Sequence, residues 1–229
     1  MLGFCEPISS WLHVGGAIVA GLSSRSLRRT ASTPGADLAL RVFAASVVLS
    51  LAVSGTYHAF DLHSAARAVF QRLDHAFIWI LIAATFTPVH VILFRGPWRW
   101  GILTGIWACA AVGVVLKTVF FAQVGNELGL ALYLVLGWMG AISAAKIWRQ
   151  EGRRATHLLL AGGVLYSAGG VASIIGSPVL VPGYVGHHEL FHLAVLGGLY
   201  AHWRFMQGAV ALRGASFTAR ADQPTSLLV

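Results

Sequence analysis

Seven stretches of this chain contain no Asp, Glu, Lys or Arg: residues 7–24, 42–60, 75–94, 100–116, 128–145, 155–188 and 190–203. The last continues apolar beyond Arg204 to Leu212. A helix rises about 1.5 Å per residue and the hydrocarbon layer is about 30 Å thick, so about 20 apolar residues make one crossing. The sixth stretch holds a helix plus an uncharged loop, with Gly176, Ser177, Pro178, Pro182 and Gly183 marking the stop. Only helices and closed barrels satisfy the backbone inside lipid, and the short alternating strands of a barrel are absent here. The expectation is an all-α membrane protein, a seven-transmembrane helix bundle over residues 1–215. Its spans lie at about 7–24, 38–60, 73–94, 98–121, 128–148, 155–176 and 188–212, and a short mobile tail follows at 216–229. The N-terminus lacks a basic leader region, so the first span reads as retained rather than cleaved.

Charge distribution supports that reading. Charged residues are 10% of the chain, against about 25% in a soluble domain. So few charges cannot cover a soluble globule, which excludes a cytosolic enzyme and a disordered chain. The net charge of +8 falls in short clusters between apolar runs, which orient membrane spans rather than track a phosphate backbone. No nucleic-acid partner is expected. Cys5 and Cys109 offer neither a disulfide framework nor a thiolate metal motif. The glycine pairs Gly137/Gly140, Gly162/Gly163, Gly169/Gly170 and Gly197/Gly198 lie within spans and read as helix-packing positions. Seven spans put Arg25, Arg28, Arg29, Arg41, Arg95, Arg99, Lys146, Arg149, Arg153, Arg154, Arg204, Arg213 and Arg220 on one side, and Arg67, Arg72 and Lys117 on the other. The basic side faces the cytoplasm, so the chain is expected as a multi-pass cell-membrane protein, N-terminus out.

Ionisable groups inside spans are costly, and each raises a functional question. Ser54 and His58 lie in SGTYH at the end of the second span. Asp74 lies in RLDHAF at the start of the third, and His188 and His192 lie in HELFH at the start of the seventh. Residues four apart share a helix face, so each pair points one way. Seven spans bring all three pieces to the same membrane side. Three neutral imidazoles with an open fourth position describe a catalytic zinc site, where bound water ionises near pH 7. Asp74 could act as general base on that water or be a ligand itself. Ser54 could orient an imidazole or stabilise an oxyanion. Glu189 lies about 100° off the His188/His192 face and is left out.

Plainer readings cover the other polar residues. His90, His157 and His202 read as hydrogen-bonded packing residues; His202 lies about 21 Å along the helix from His188. His75 and His187 adjoin the candidate ligands and replace them if the register is shifted. His63 reads as a loop residue, and Tyr57 and Trp79 as packing aromatics. His13, with Glu6 and Ser10 before it, could line the bundle interior behind the ligands. The whole set could also be an interhelical hydrogen-bond network without metal.

At these residues the chain resembles a known family. SGTYH, LDHAFIWILIAATFTP, HELFHLAVLGG and the opening CEPISSWLHVGG closely resemble the hemolysin III family, bacterial relatives of the progestin and adiponectin receptors. The resemblance runs from the first helix to the seventh. It implies a seven-helix bundle with zinc on His58, His188 and His192, and an aspartate matching Asp74 beside the zinc-bound water. The wider superfamily includes alkaline ceramidases, which implies hydrolysis of a lipid amide. The receptors place the N-terminus in the cytoplasm, against the charge count, whereas the ceramidases resemble the N-out arrangement. Nothing in these residues looks like a pore-forming toxin.

Two functions follow as expectations, both with membrane lipids as partners. One is a zinc-dependent hydrolase of a lipid amide or ester; the other is a non-catalytic sensor or regulator of membrane lipids with structural zinc. A haem-binding electron carrier and a transporter coupled through Asp74 are weaker alternatives.

Overall fold

The computed structural model describes residues 6–182 and 184–221, and its regular elements there are helical. In chain order they are α1 (Pro7–Arg28), α2 (Pro34–Ala59), α3 (Ala65–Leu93), α4 (Pro97–Thr118), α5 (Asn126–Trp138), α6 (Gly140–Glu151), α7 (Arg153–Ile175) and α8 (His187–Ala221). α5 and α6 are two halves of one rod, interrupted at Met139, where the Ile142 N–H bonds back three residues to the Met139 carbonyl. That tightened turn is a local 3₁₀ step rather than a change of direction at a loop.

Local chemistry sets the helix ends. Pro7, Pro34 and Pro97 stand in the first turns of α1, α2 and α4, where a missing N–H costs nothing. The Thr33 hydroxyl accepts from the Ala36 N–H at 3.2 Å, and the Ser64 hydroxyl accepts from the Arg67 N–H at 3.2 Å; both are N-caps. α7 ends on Gly176 at φ 74°, a left-handed cap that glycine adopts without strain. α3 starts before the charge-free stretch because the capping Ser64 admits Arg67 and Arg72 into its first turns. α8 runs on through Ala221, past position 216; residues 222–229, the rest of the expected tail, lie outside the described residues, as does Cys5.

α2, α3, α4, the α5–α6 rod and α7 are each long and apolar enough to cross a membrane. Consecutive helices pack side by side from α1 to α4, α7 packs along α8, and α8 closes against α1 and α3. One core joins Leu40, Phe43, Val47, Leu51, Met206 and Ala209 between α2 and α8; a second joins Trp79, Phe86, Leu103 and Ile106 between α3 and α4. Leu22, Val135 and Ile175 are each more than 60% exposed on the outside. Such apolar faces suit hydrocarbon rather than water, and the protein is a multi-pass membrane protein.

Several of the glycines work as contact points. A Cβ on Gly162 would lie 2.3 Å from His202 Nε2, one on Gly169 2.6 Å from Ala194, and one on Gly198 2.6 Å from the Tyr166 ring. These positions let α7 and α8 approach closely. Gly137 faces open space instead.

Candidate metal centre

The end of α2 and the start of α8 meet at one end of the bundle. His58 sits in the last turn of α2, and His188 and His192 in the first turns of α8. Each offers one ring nitrogen, and the three atoms lie within 4.8 Å of one another. His188 Nε2 and His192 Nε2 are 3.0 Å apart, as the shared face of an i,i+4 pair requires. The His58 ring centroid is 4.7 Å from that of His192 and 5.2 Å from that of His188. His58 and His192 are buried and His188 is half-buried. His58 Nε2 is buried with no protein hydrogen-bond partner. A buried ring nitrogen left open is costly, and the three rings are close enough together for one cation to satisfy it.

The other nitrogen of His58 is fixed from α1. His58 Nδ1 donates to Glu6 Oε2, and the Glu6 N–H donates to the His58 carbonyl at 3.1 Å. Arg67 Nη2 donates to the same carboxylate oxygen at 3.0 Å, and Nη1 donates to the Phe60 carbonyl at 2.9 Å. The Arg67 guanidinium also lies 4.5 Å above the Tyr57 ring, a cation–π contact. The hydrogen bond from His58 and the bonds from Arg67 hold the Glu6 carboxyl down at about 2, against the opposing effect of burial. With Nδ1 bonded to a carboxylate, His58 keeps Nε2 open toward the other two rings, the arrangement that suits a metal-binding imidazole. Behind His192 lies His13, buried, with its ring centroid 4.3 Å away. Just below, the Ser10 hydroxyl donates to the Gly55 carbonyl at 2.8 Å, where α1 and α2 touch.

Asp74 is not among the donor atoms that converge within 4.8 Å. It lies on the wall of a cavity of about 430 Å³ that His58, His188 and His192 also line. Ser54, buried one turn before His58, lines the same cavity and interacts with the Asp74 carboxyl. His75 Nδ1 is 3.9 Å from Asp74 and 2.9 Å from the Gln71 carbonyl. From there the cavity extends between α3, α5, α7 and α8 along mostly apolar walls.

The remaining histidines are engaged elsewhere. His90 contacts the Trp98 carbonyl and Ser143, His157 the Arg154 carbonyl, and His202 the Leu159 carbonyl. His187 is not one of the converging three. Glu189 accepts from the Gly186 N–H at 2.9 Å and from the Ser9 hydroxyl at 3.2 Å, a start-of-helix role away from the ligand face. The Trp79 ring lies across Gly113, where a Cβ would meet it at 1.9 Å. The sequence reading names Glu6 beside His13 in the bundle interior and Arg67 as a basic residue of the sparsely charged side, but pairs neither with His58 or with the other. The available signal was a carboxylate next to the first span, since a metal-binding imidazole calls for an acceptor on its second nitrogen.

Comparison with known proteins agrees with this architecture. A family model described as Haemolysin-III related matches residues 4–203. Hemolysin-3 of Bacillus cereus is 32% identical over 166 residues, covering 72% of each chain. The Hemolysin-3 homolog of Bacillus subtilis is 31% identical, covering 69% of this chain and 70% of its own. The heptahelical transmembrane protein ADIPOR2 of Oryza sativa is 34% identical over 177 residues, covering 71% of this chain and 77% of its own. With a helical bundle, three converging histidines and a match over most of its length, the chain belongs to the haemolysin III-related family.

Proposed function

We propose that this protein is a seven-span bundle that holds zinc on His58, His188 and His192 and hydrolyses a lipid amide or ester in the adjoining cavity. The observation that carries this reading is the convergence of three imidazole nitrogens on the wall of a large apolar cavity. Three nitrogens and an open fourth position are the donor set of catalytic zinc sites. Bound there, zinc supplies a Lewis acid that makes water nucleophilic near neutral pH and polarises a carbonyl. Asp74 lines the same cavity, and in this reading it takes the proton from the attacking water and returns it to the leaving group. Ser54 holds the Asp74 carboxyl in place or donates to the developing oxyanion. Apolar walls take the acyl chains. Seven spans follow from α1 and α8 completing the five long apolar rods, and the name of the rice relative says heptahelical of that protein. With the basic clusters at the opposite end of the bundle from the histidines, the metal end faces outward.

The test is product formation from synthetic lipid amides and esters by purified protein in lipid nanodiscs, compared with Asp74→Asn. We expect Asp74→Asn to keep its metal and lose at least about a hundredfold in rate, the lower end of a general base's contribution. Equal rates in the two proteins would remove the hydrolase reading. The second reading, a lipid sensor with structural zinc, is favoured by the separation of Asp74 from the converging nitrogens. It expects metal in both proteins and turnover in neither.

A further inference from the structure

Lys117 counts in the sequence as one of three basic residues on the sparsely charged side of the membrane. Its place in the structure does not fit a charge that merely orients a helix, because the side chain turns inward. Lys117 is 1% exposed, in the last turn of α4, and lines the same cavity as Asp74 and the three histidines. Its Nζ donates to the Val124 carbonyl at 2.8 Å. Among the described residues no carboxylate lies within 4.0 Å of it. An ammonium carries three donors, so one bond to a neutral carbonyl leaves most of its capacity unused in a buried place.

The surroundings are shaped for this side chain. Gly129 on α5 leaves the space that Lys117 occupies: a Cβ there would lie 2.8 Å from Nζ and 2.9 Å from Cε. The Phe121 ring flanks the ammonium at 5.2 Å. Gln71, Asn126 and Tyr133 line the cavity near the same end. A buried cation without a counter-ion is costly, and a cavity able to admit a ligand is where one can be supplied. An anion arriving through the cavity supplies the missing partner.

We propose that Lys117 is the recognition site for the acidic group of a lipid that enters this cavity, so that the preferred ligand is an acyl lipid whose polar end carries a carboxylate or phosphate. This rests on the reading that a lipid occupies the cavity, and it requires neither turnover nor zinc. The acyl chain lies along the apolar walls toward α7, and the acid meets Nζ beside Val124. Charge-assisted hydrogen bonds are about twice as strong as neutral ones, so an acid outcompetes a neutral lipid of equal length.

The experiment measures binding by native mass spectrometry of the full chain in phosphatidylcholine nanodiscs. The probes are N-oleoylglycine and its neutral counterpart N-oleoylglycinamide, which differ in charge and share the chain. We expect the acid to bind at least about tenfold more tightly, from the strength of a hydrogen bond to a charged group. Lys117→Gln is expected to abolish that preference while leaving the amide's affinity unchanged, and Lys117→Arg to retain it. Unchanged amide binding in Lys117→Gln shows that the cavity is intact, so loss of acid preference is not a folding defect. Equal affinity of the two probes in the native protein overturns the proposal, as does acid preference persisting in Lys117→Gln. Preference lost in His188→Ala but kept in Lys117→Gln assigns the acid to the histidine centre and overturns it too. Displacement by inorganic phosphate alone as effective as by N-oleoylglycine makes this a site for a small anion and overturns the lipid assignment. Failure of both probes to bind counts against the lipid-filled cavity itself, whereas binding without hydrolysis leaves this proposal standing and removes only the hydrolase reading.

Discussion

At the scale of single residues, the site depends on a carboxylate outside the ligand set. Glu6 binds both the ring and the backbone carbonyl of His58, so it fixes the ring's orientation as well as its tautomer. We expect Glu6→Gln to weaken metal affinity by about 10–100-fold, the usual effect of losing a partner behind a ligand, read by titration with a chelator. An affinity within twofold of the native value would show that the carboxylate is dispensable. The acid response has a definite sign. The Glu6 carboxyl is lowered from 4.5 to about 2, so its contribution is complete above about 4.5 and is lost only as pH falls toward 2. The contact that Glu6 makes between the start of α1 and the end of α2 is therefore expected to survive mild acidification, read as a helical signal unchanged above about pH 4.5. The convergence of His58, His188 and His192 was legible because SGTYH and HELFH put a polar pair on one face of an otherwise apolar helix. The contact of Glu6 with Arg67 was not, because the two lie 61 positions apart and meet only where the start of α3 comes beside the residue that precedes α1.

At the scale of helices, the small residues carry the packing. Trp79 lies flat across Gly113, leaving no room for a methyl group. Gly113→Ala should destabilise the α3–α4 pair by about 1–3 kcal/mol, the range for overpacking, seen as a lower midpoint of thermal unfolding in detergent with metal content unchanged. An unchanged midpoint would mean that the α3–α4 contact is looser than the geometry shows. Helix starts were legible to within about a turn where a proline marks them, at Pro7, Pro34 and Pro97. The break at Met139 was not, since residues 128–145 contain no charge and an apolar pattern reads through a 3₁₀ step without a mark. The early start of α3 was hidden for the opposite reason: charge-free scanning discards a first turn that holds Arg67, which is buried on Glu6 rather than exposed to water.

At the scale of the whole molecule, the bundle is polarised. The histidines, Glu6 and Asp74 gather at one end, while Arg28, Asp37 and Arg41 form an ion-paired cluster at the other. Positive clusters remain in the cytoplasm, so the C-terminus is expected inside. Alkaline phosphatase fused to the C-terminus should be inactive; an active fusion would reverse the orientation and put the metal end in the cytoplasm. The all-helical class and the membrane location were legible from charge-free lengths alone. The cavity was not, because its walls come from residues of several helices whose individual patterns are those of any buried face.

The central claim is that His58, His188 and His192 hold one metal ion together. Metal content of the purified protein, measured by inductively coupled plasma mass spectrometry beside His192→Ala, tests it most directly. We expect close to one zinc per chain in the native protein and none in the variant, with the helical circular dichroism of the two alike. A native protein that is fully helical, thermally stable and free of bound metal after purification with added zinc would contradict it.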